Sequence, residues 1–193
     1  MGEKRARREL VAYGRELWDR RLVMGSSGNL SVRLDEQTIL ATPSGQSLRN
    51  LDASELVRCD LAGRPADPAQ RPTSELPLHL AAYGARPSIR VVVHTHPTFC
   101  VVWSKMRTVF PRDTVGARET LRDIGFTPYR PAGSADLAHI VGAAFASGLD
   151  NVLMERHGLS CVSGTLEDAF LQTDLAEEAA RIACFCRLKE EYS

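Results

Sequence analysis

The sequence has no net charge to steer it, because 24 Lys and Arg residues balance 24 Asp and Glu. That balance supplies no global drive towards nucleic acid or a membrane surface. The one charge run, "EKRARRE" near the amino end, reads as the solvated start of a helix rather than an address or an RNA arm. No apolar stretch follows it that could serve as a signal-peptide core or a membrane span. A cytoplasmic location is the expectation. The five cysteines (59, 100, 161, 184 and 186) include no C-x-x-C pair. Cys184 and Cys186 fall on a predicted helix, where residues i and i+2 point apart, so a disulfide or a shared metal is disfavoured there. Buried, reduced thiols fit the scatter better and agree with a reducing compartment. There is no internal repeat and no low-complexity tract. What remains is a chain of 193 residues, 44% hydrophobic and 25% charged. That is the make-up of one ordinary globular domain spanning 1–193.

Periodicity divides the chain into alternating elements. Leu10, Val11, Gly14, Leu17, Trp18 and Leu22 recur at helical spacing and predict an amphipathic helix over 4–24. "GSSGNLS" breaks it, and "NLSVRL" and "TILATP" then read as a hairpin, followed by a strand in "ELVRCDLAG". "SELPLHLAAYGARP" predicts a three-turn helix with Ser74 as its N-cap and Pro77 in its first turn. The strand "IRVVVH" and a helix from Pro97 to about Lys105 follow. Residues 107–134 read as loop mixed with short strands. "SADLAHIVGAAFASG" is a capped helix, "NVLMERHGLSCVSG" a strand pair around a His-Gly turn, and 165–190 a final helix. Irregular alternation with hairpins predicts an α/β chain, a three-layer α/β/α sandwich on a mixed sheet.

The chemistry concentrates in "VVVHTHPTF". Valines favour an extended backbone, and in a strand His94 and His96 would project from the same face. Two ligands of one metal would suit that geometry, as would two plain histidines bonded to solvent, because H-x-H alone is a weak pattern. His157 in "MERHGLS" sits at a strand end where Gly158 removes side-chain crowding. With His94 and His96 it would complete a facial three-histidine set, the open arrangement of a catalytic zinc. His79 and His139, amid aliphatic residues on helices, read as partly buried packing residues. "PTSELPLH" puts Thr73, Ser74 and Glu75 at a helix amino end, either an anion site or a simple cap. "SSGNLS" and "TPSG" are further hydroxyl- and glycine-rich turns beside strands.

Together, "GSSGNLSVR", "ILATPSG", "PTSELPLHLAAYGARP", "VVVHTHP" and "ERHGL" occur in the order and spacing of the class II aldolase/adducin family. The chain resembles that family over residues 8–185, most closely its fuculose-phosphate aldolase branch. The resemblance implies a mostly antiparallel mixed sheet and a homotetramer with active sites between subunits. It also implies one Zn²⁺ per subunit on His94, His96 and His157, with Glu75 as catalytic acid–base. Gly28, Asn29, Ser44, Gly45, Thr73 and Ser74 match positions that hold the substrate phosphate. The implied reaction is cleavage of a ketose 1-phosphate, a small-molecule sugar phosphate, to dihydroxyacetone phosphate and an aldehyde. Relatives on the same scaffold include pentulose-phosphate epimerases, dehydratases and decarboxylases. The epimerases favour Asp where this chain has Glu75, and the eukaryotic dehydratases place another residue there. Adducin-like modules, a non-catalytic alternative, lack an intact ligand set.

One feature departs from the aldolases. They place a proton-donating tyrosine, supplied by a neighbouring subunit, shortly after the zinc-ligand helix. The matching segment here, "FPRDTVGARETLRDIGF", has none. Tyr129 reads as a packing residue and Tyr192 lies at the very end, which leaves Arg112, Arg118 and Glu119 as the polar residues of that segment.

Overall fold

The computed structural model describes residues 2–106 and 109–191. Tyr192 therefore lies outside the described residues. Seven strands form one sheet in the order β3-β2-β1-β4-β7-β6-β5. They are β1 (Asn29–Arg33), β2 (Thr38–Ala41), β3 (Val57–Asp60), β4 (Val91–Thr95), β5 (Ile124–Thr127), β6 (Asn151–Met154) and β7 (Gly158–Ser163). Every neighbouring pair is antiparallel except β5 and β6, so the sheet is mixed and mostly antiparallel.

The valine run explains the layering. Alternate side chains of a strand face opposite sides of a sheet. Val91 and Val93 accordingly join one buried cluster and Val92 the other. The first cluster packs under α1 (Glu3–Asp19), α3 (Thr98–Ser104) and α6 (Leu166–Glu191). The second packs under α2 (Leu76–Ala85) and α5 (Ala135–Ala146). The result is the expected three-layer α/β/α sandwich, with β1, β4 and β7 adjacent at its middle.

Several boundaries differ from the sequence reading, each for a local reason. Helix α1 stops at Asp19, five residues early. Arg21 takes a left-handed φ of 60°, and the Leu22 and Arg21 N–H groups donate to Leu17 and Trp18 carbonyls. This is a glycine-free Schellman stop. Leu22 stays in phase with the helix and buried, but beyond its end. Helix α2 starts at Leu76 with Glu75 as N-cap, not Ser74, and without a side-chain cap. Thr73 Oγ1 instead accepts from the Glu75 N–H at 3.2 Å. Pro97 is the N-cap of α3 rather than its first residue. The Phe99 and Cys100 N–H groups donate to the Glu177 carboxylate on α6. The segment read as loop and short strands also holds a short helix, α4 (Val115–Glu119), capped by Thr114.

Some single residues were misplaced as well. His79 is wholly buried and hydrogen-bonded rather than partly buried. His139 is exposed. Tyr129 is 50% exposed instead of packed. Four cysteines are buried free thiols as expected, whereas Cys186 is exposed. Among the described residues, no helix is long and apolar enough to cross a membrane.

Candidate active site

Three imidazoles meet at the end of β4. His94 is its fourth residue, and His96 follows the strand just before Pro97 turns the chain into α3. His157 arrives on the turn between β6 and β7. Its ring centroid lies 4.9 Å from that of His94 and 5.1 Å from that of His96, while His94 and His96 are 4.9 Å apart. The three rings are inclined to one another by 70–73°, a propeller with near-threefold symmetry. His94 Nε2 and His96 Nε2 are 3.0 Å apart. Two nitrogens on one tetrahedral zinc would be separated by about 3.3 Å, from Zn–N bonds of about 2.05 Å.

The turn that delivers His157 depends on two backbone features. Arg156 takes a left-handed φ of 60°, uncommon for a residue with a side chain, and its N–H donates to Ser104 Oγ at 2.9 Å. Gly158 is needed for space rather than for φ. A Cβ there would sit 2.2 Å from the Thr95 carbonyl and 2.8 Å from the His96 ring. On the far side of the centre, His94 Nδ1 faces Ser160 Oγ at 3.0 Å on β7. A proton on Nδ1 donated to that hydroxyl leaves the Nε2 lone pair directed at the centre, the usual support of a metal-binding histidine.

All three histidines are pushed below their ordinary pKa. Burial is the main cause, and mutual repulsion adds to it for His94 and His96. His96 falls to about 4. The rings are therefore neutral at pH 7, the state that can bind a cation. Among the described residues, buried His157 Nδ1 and Glu75 Oε2 have no hydrogen-bond partner. Three nitrogen donors without sulfur, neutral rings and an unpartnered buried ring nitrogen all fit a divalent metal such as zinc.

Beside this centre lies a cleft of ≈220 Å³ lined by Glu75, His96 and His157. Its other walls are three small-residue turns that carry Gly28 and Asn29, Ser44 and Gly45, and Thr73 and Ser74. Every residue assigned from the sequence to substrate binding thus borders one cavity, and His94 closes the histidine set behind it. Gly28 and Gly45 have φ of +77° and +74°, in the region that glycine enters without strain. A Cβ at Gly28 would also strike Val23 at 2.3 Å. Glu75 is buried, which raises its carboxyl pKa, while the Gly133 backbone N–H opposes that shift.

Sequence reasoning passed over Ser26, Ser27, Pro43 and Ala132, which line the same cleft. The first three lie in turns already singled out. Ala132 and Gly133 come from the segment least legible in sequence. Their one signal was "PAG", where Gly133 takes φ +70° and a Cβ would lie 2.9 Å from the Ser74 carbonyl.

The fold and this centre define a class: a mixed α/β/α domain in which three histidines able to hold a metal open onto a polar cleft. The model of the Class II Aldolase and Adducin N-terminal domain family matches residues 8–184, and the chain belongs to that family. It is 32% identical over 175 residues to the L-fuculose phosphate aldolase of Methanococcus vannielii, covering 91% of this chain and 93% of that one. It is also 32% identical over 186 residues to the 3-oxo-tetronate 4-phosphate decarboxylase of Pectobacterium atrosepticum, covering 93% and 84%. Among solved structures, an L-fuculose 1-phosphate aldolase superposes with a TM-score of 0.85 at 29% identity, covering 94% of this chain and 86% of that one.

Proposed function

We propose that the protein is a zinc-dependent class II aldolase that cleaves a ketose 1-phosphate to dihydroxyacetone phosphate and an aldehyde. The observation that carries this reading is one cleft lined by a carboxylate, two members of a histidine triangle and three hydroxyl- and glycine-rich turns. The turns bind the phosphate and fix the substrate's register, which aligns the reacting carbon with Glu75. His94, His96 and His157 hold the metal. Bound there, a divalent cation withdraws electrons from a substrate carbonyl and stabilises negative charge developing beside it. Glu75 moves the proton at the carbon next to that carbonyl, and its burial raises its basicity towards neutral pH. The protein acts in the cytoplasm, as a homo-oligomer of which a tetramer is the expected form.

A second reading, decarboxylation of a 3-oxo acid phosphate on the same centre, has a specific observation in its favour. Residues 109–126 hold no tyrosine to take up the proton of the hydroxyl that becomes the aldehyde, whereas loss of CO₂ releases no such proton. One screen separates the two. Purified protein with measured metal content is offered ketose 1-phosphates with coupled detection of dihydroxyacetone phosphate, and 3-oxo acid phosphates with detection of CO₂. Dihydroxyacetone phosphate release supports the aldolase. CO₂ release alone overturns it in favour of the decarboxylase.

A further inference from the structure

Behind the cleft, a chain of buried polar side chains runs from α2 back into the sheet. Asn29, on the cleft wall, places its Oδ1 2.6 Å from His79 Nε2. On the other side of the ring, His79 Nδ1 lies 2.6 Å from Ser31 Oγ, which is 2.7 Å from the Tyr83 hydroxyl. Asn29 and Ser31 are i and i+2 on β1, and His79 and Tyr83 are i and i+4 on α2. Each pair therefore presents one face to the other. His79 and Ser31 are 0% exposed and Tyr83 2%. A buried donor left without an acceptor costs about 1–3 kcal/mol, so the direction of this relay is constrained.

Only one direction satisfies every hydrogen. The Tyr83 hydroxyl donates to Ser31 Oγ, Ser31 donates to His79 Nδ1, and His79 Nε2–H donates to Asn29 Oδ1. In the reverse direction the Tyr83 hydrogen is left over, because among the described residues its hydroxyl has Ser31 Oγ as its one hydrogen-bond partner. Burial raises the pKa of the Tyr83 phenol, with the Arg33 and Arg90 charges opposing in part, so the hydroxyl keeps the proton it donates, and Arg33 lies 5.0 Å from the ring centroid. The forward relay turns the Asn29 oxygen inward and leaves its NH₂ group facing the cleft. A reversed amide would present an oxygen to an anion and repel it.

We infer that His79 is a positioning residue that fixes the Asn29 amide with its NH₂ towards the cleft and so makes that wall selective for an anionic group. The inference rests on reading the cleft as an anion site. Its role extends to selectivity, since an uncharged analogue gains less from the locked amide than an anion, whose charge-assisted hydrogen bond is roughly twice as strong.

The test uses His79→Leu, which removes the donor, and His79→Gln, whose amide nitrogen can stand where Nε2 stood. Inorganic phosphate is the probe, titrated by ³¹P NMR at equal measured metal content. Phosphate affinity should fall roughly tenfold in His79→Leu and return to within about threefold of wild type in His79→Gln. With substrate, the loss in His79→Leu should appear in KM more than in kcat. Nitrogen-15 NMR of the wild type should find the His79 proton on Nε2, a reading that no unfolded variant can confuse. A proton on Nδ1, or unchanged phosphate affinity in a folded His79→Leu, overturns the inference while leaving the anion site standing. Failure of the wild type to bind phosphate overturns both.

Discussion

A carboxylate beside three neutral imidazoles can serve as a ligand or as a base, and single-residue changes separate the two uses. Glu75→Gln keeps the shape of the buried side chain and removes the base. As a base it should cost roughly two to four orders of magnitude in kcat, with metal content unchanged because the histidines remain. Exchange of the dihydroxyacetone phosphate proton with solvent isolates this step from the aldehyde half of the reaction. Exchange at the wild-type rate in Glu75→Gln would remove the carboxylate from the mechanism. His96→Ala should behave in the opposite way, emptying the metal site first, as measured by atomic absorption on dialysed protein. At this scale the candidate site was largely legible, because the residues proposed as ligands, base and anion-binding turns carry distinctive chemistry at fixed spacing, and the fold brings them together. His79 was not. Its surroundings in sequence are Leu78 and Leu80, and its polar partners Asn29 and Ser31 lie 50 and 48 residues away. Burial among aliphatic neighbours predicted packing, while the fold made it part of a relay.

Elements matter here through their ends, where the functional groups sit and where glycine positions decide what fits. Gly158→Ala should break the candidate site, since the new Cβ would be 2.2 Å from the Thr95 carbonyl. Backbone cannot yield as a flexible side chain can, so β4 and β7 must separate where they hold His96 and His157. A loss of about 2–4 kcal/mol in urea unfolding is expected, together with weaker metal binding. Gly84→Ala is the contrasting case. Gly84 lies in α2, and its new Cβ would meet nothing within 4 Å. That change should stabilise the protein by up to about 1 kcal/mol, with activity intact, and an equal loss in both variants would discredit the steric account. The same ends explain where the sequence misled. The stop of α1 relies on Arg21 in a left-handed turn, a position where glycine would have announced itself. The start of α2 relies on Glu75 without a side-chain cap, so Ser74 looked like the better cap while its hydroxyl was placed at the cleft.

Two properties belong to the whole molecule, acid stability and assembly. Burial pulls the His79 pKa down to about 3 from 6.5, while the unfolded chain keeps an ordinary histidine. Below pH 6.5 the unfolded state therefore takes up a proton that the folded state refuses. The stability associated with His79 is complete above that pH and is lost as pH falls towards 3. The loss should reach roughly 2–3 kcal/mol by pH 4.5. The groups around His79 are the neutral Asn29, Ser31 and Tyr83, with His94 as a titrating neighbour. In His79→Gln, urea unfolding should show a shallower decline between pH 6.5 and 4.5 than in wild type, since other groups contribute to both. Identical slopes would mean that His79 does not carry the acid sensitivity.

The proposed homo-oligomer would assemble where the edge of the sheet is left uncovered. Strand β5 is the outermost strand, and an edge strand presents unpaired backbone groups to any neighbour. Around it the apolar side chains of Val109 and Phe126 are 90% and 38% exposed. Val109 and Phe126 also line a groove of ≈500 Å³ that reaches Glu155, two residues from His157. Exposed apolar residues grouped in this way mark an interaction surface, and its position would let a second copy contribute to the cleft. A second copy carries the same segment without a tyrosine, so the group it lends to the aldehyde oxygen would have to be another residue. The segment was hard to read in sequence because its elements, α4 and β5, are only five and four residues long, too short to show a helix or strand period. Light scattering at micromolar concentration should give a multiple of the 21.2 kDa chain mass. Val109→Lys combined with Phe126→Lys should shift it towards the monomer, with activity falling as the mass falls. A wild-type mass of one chain with full activity would show that the cleft is complete by itself, and the proton donor would then have to be found within it.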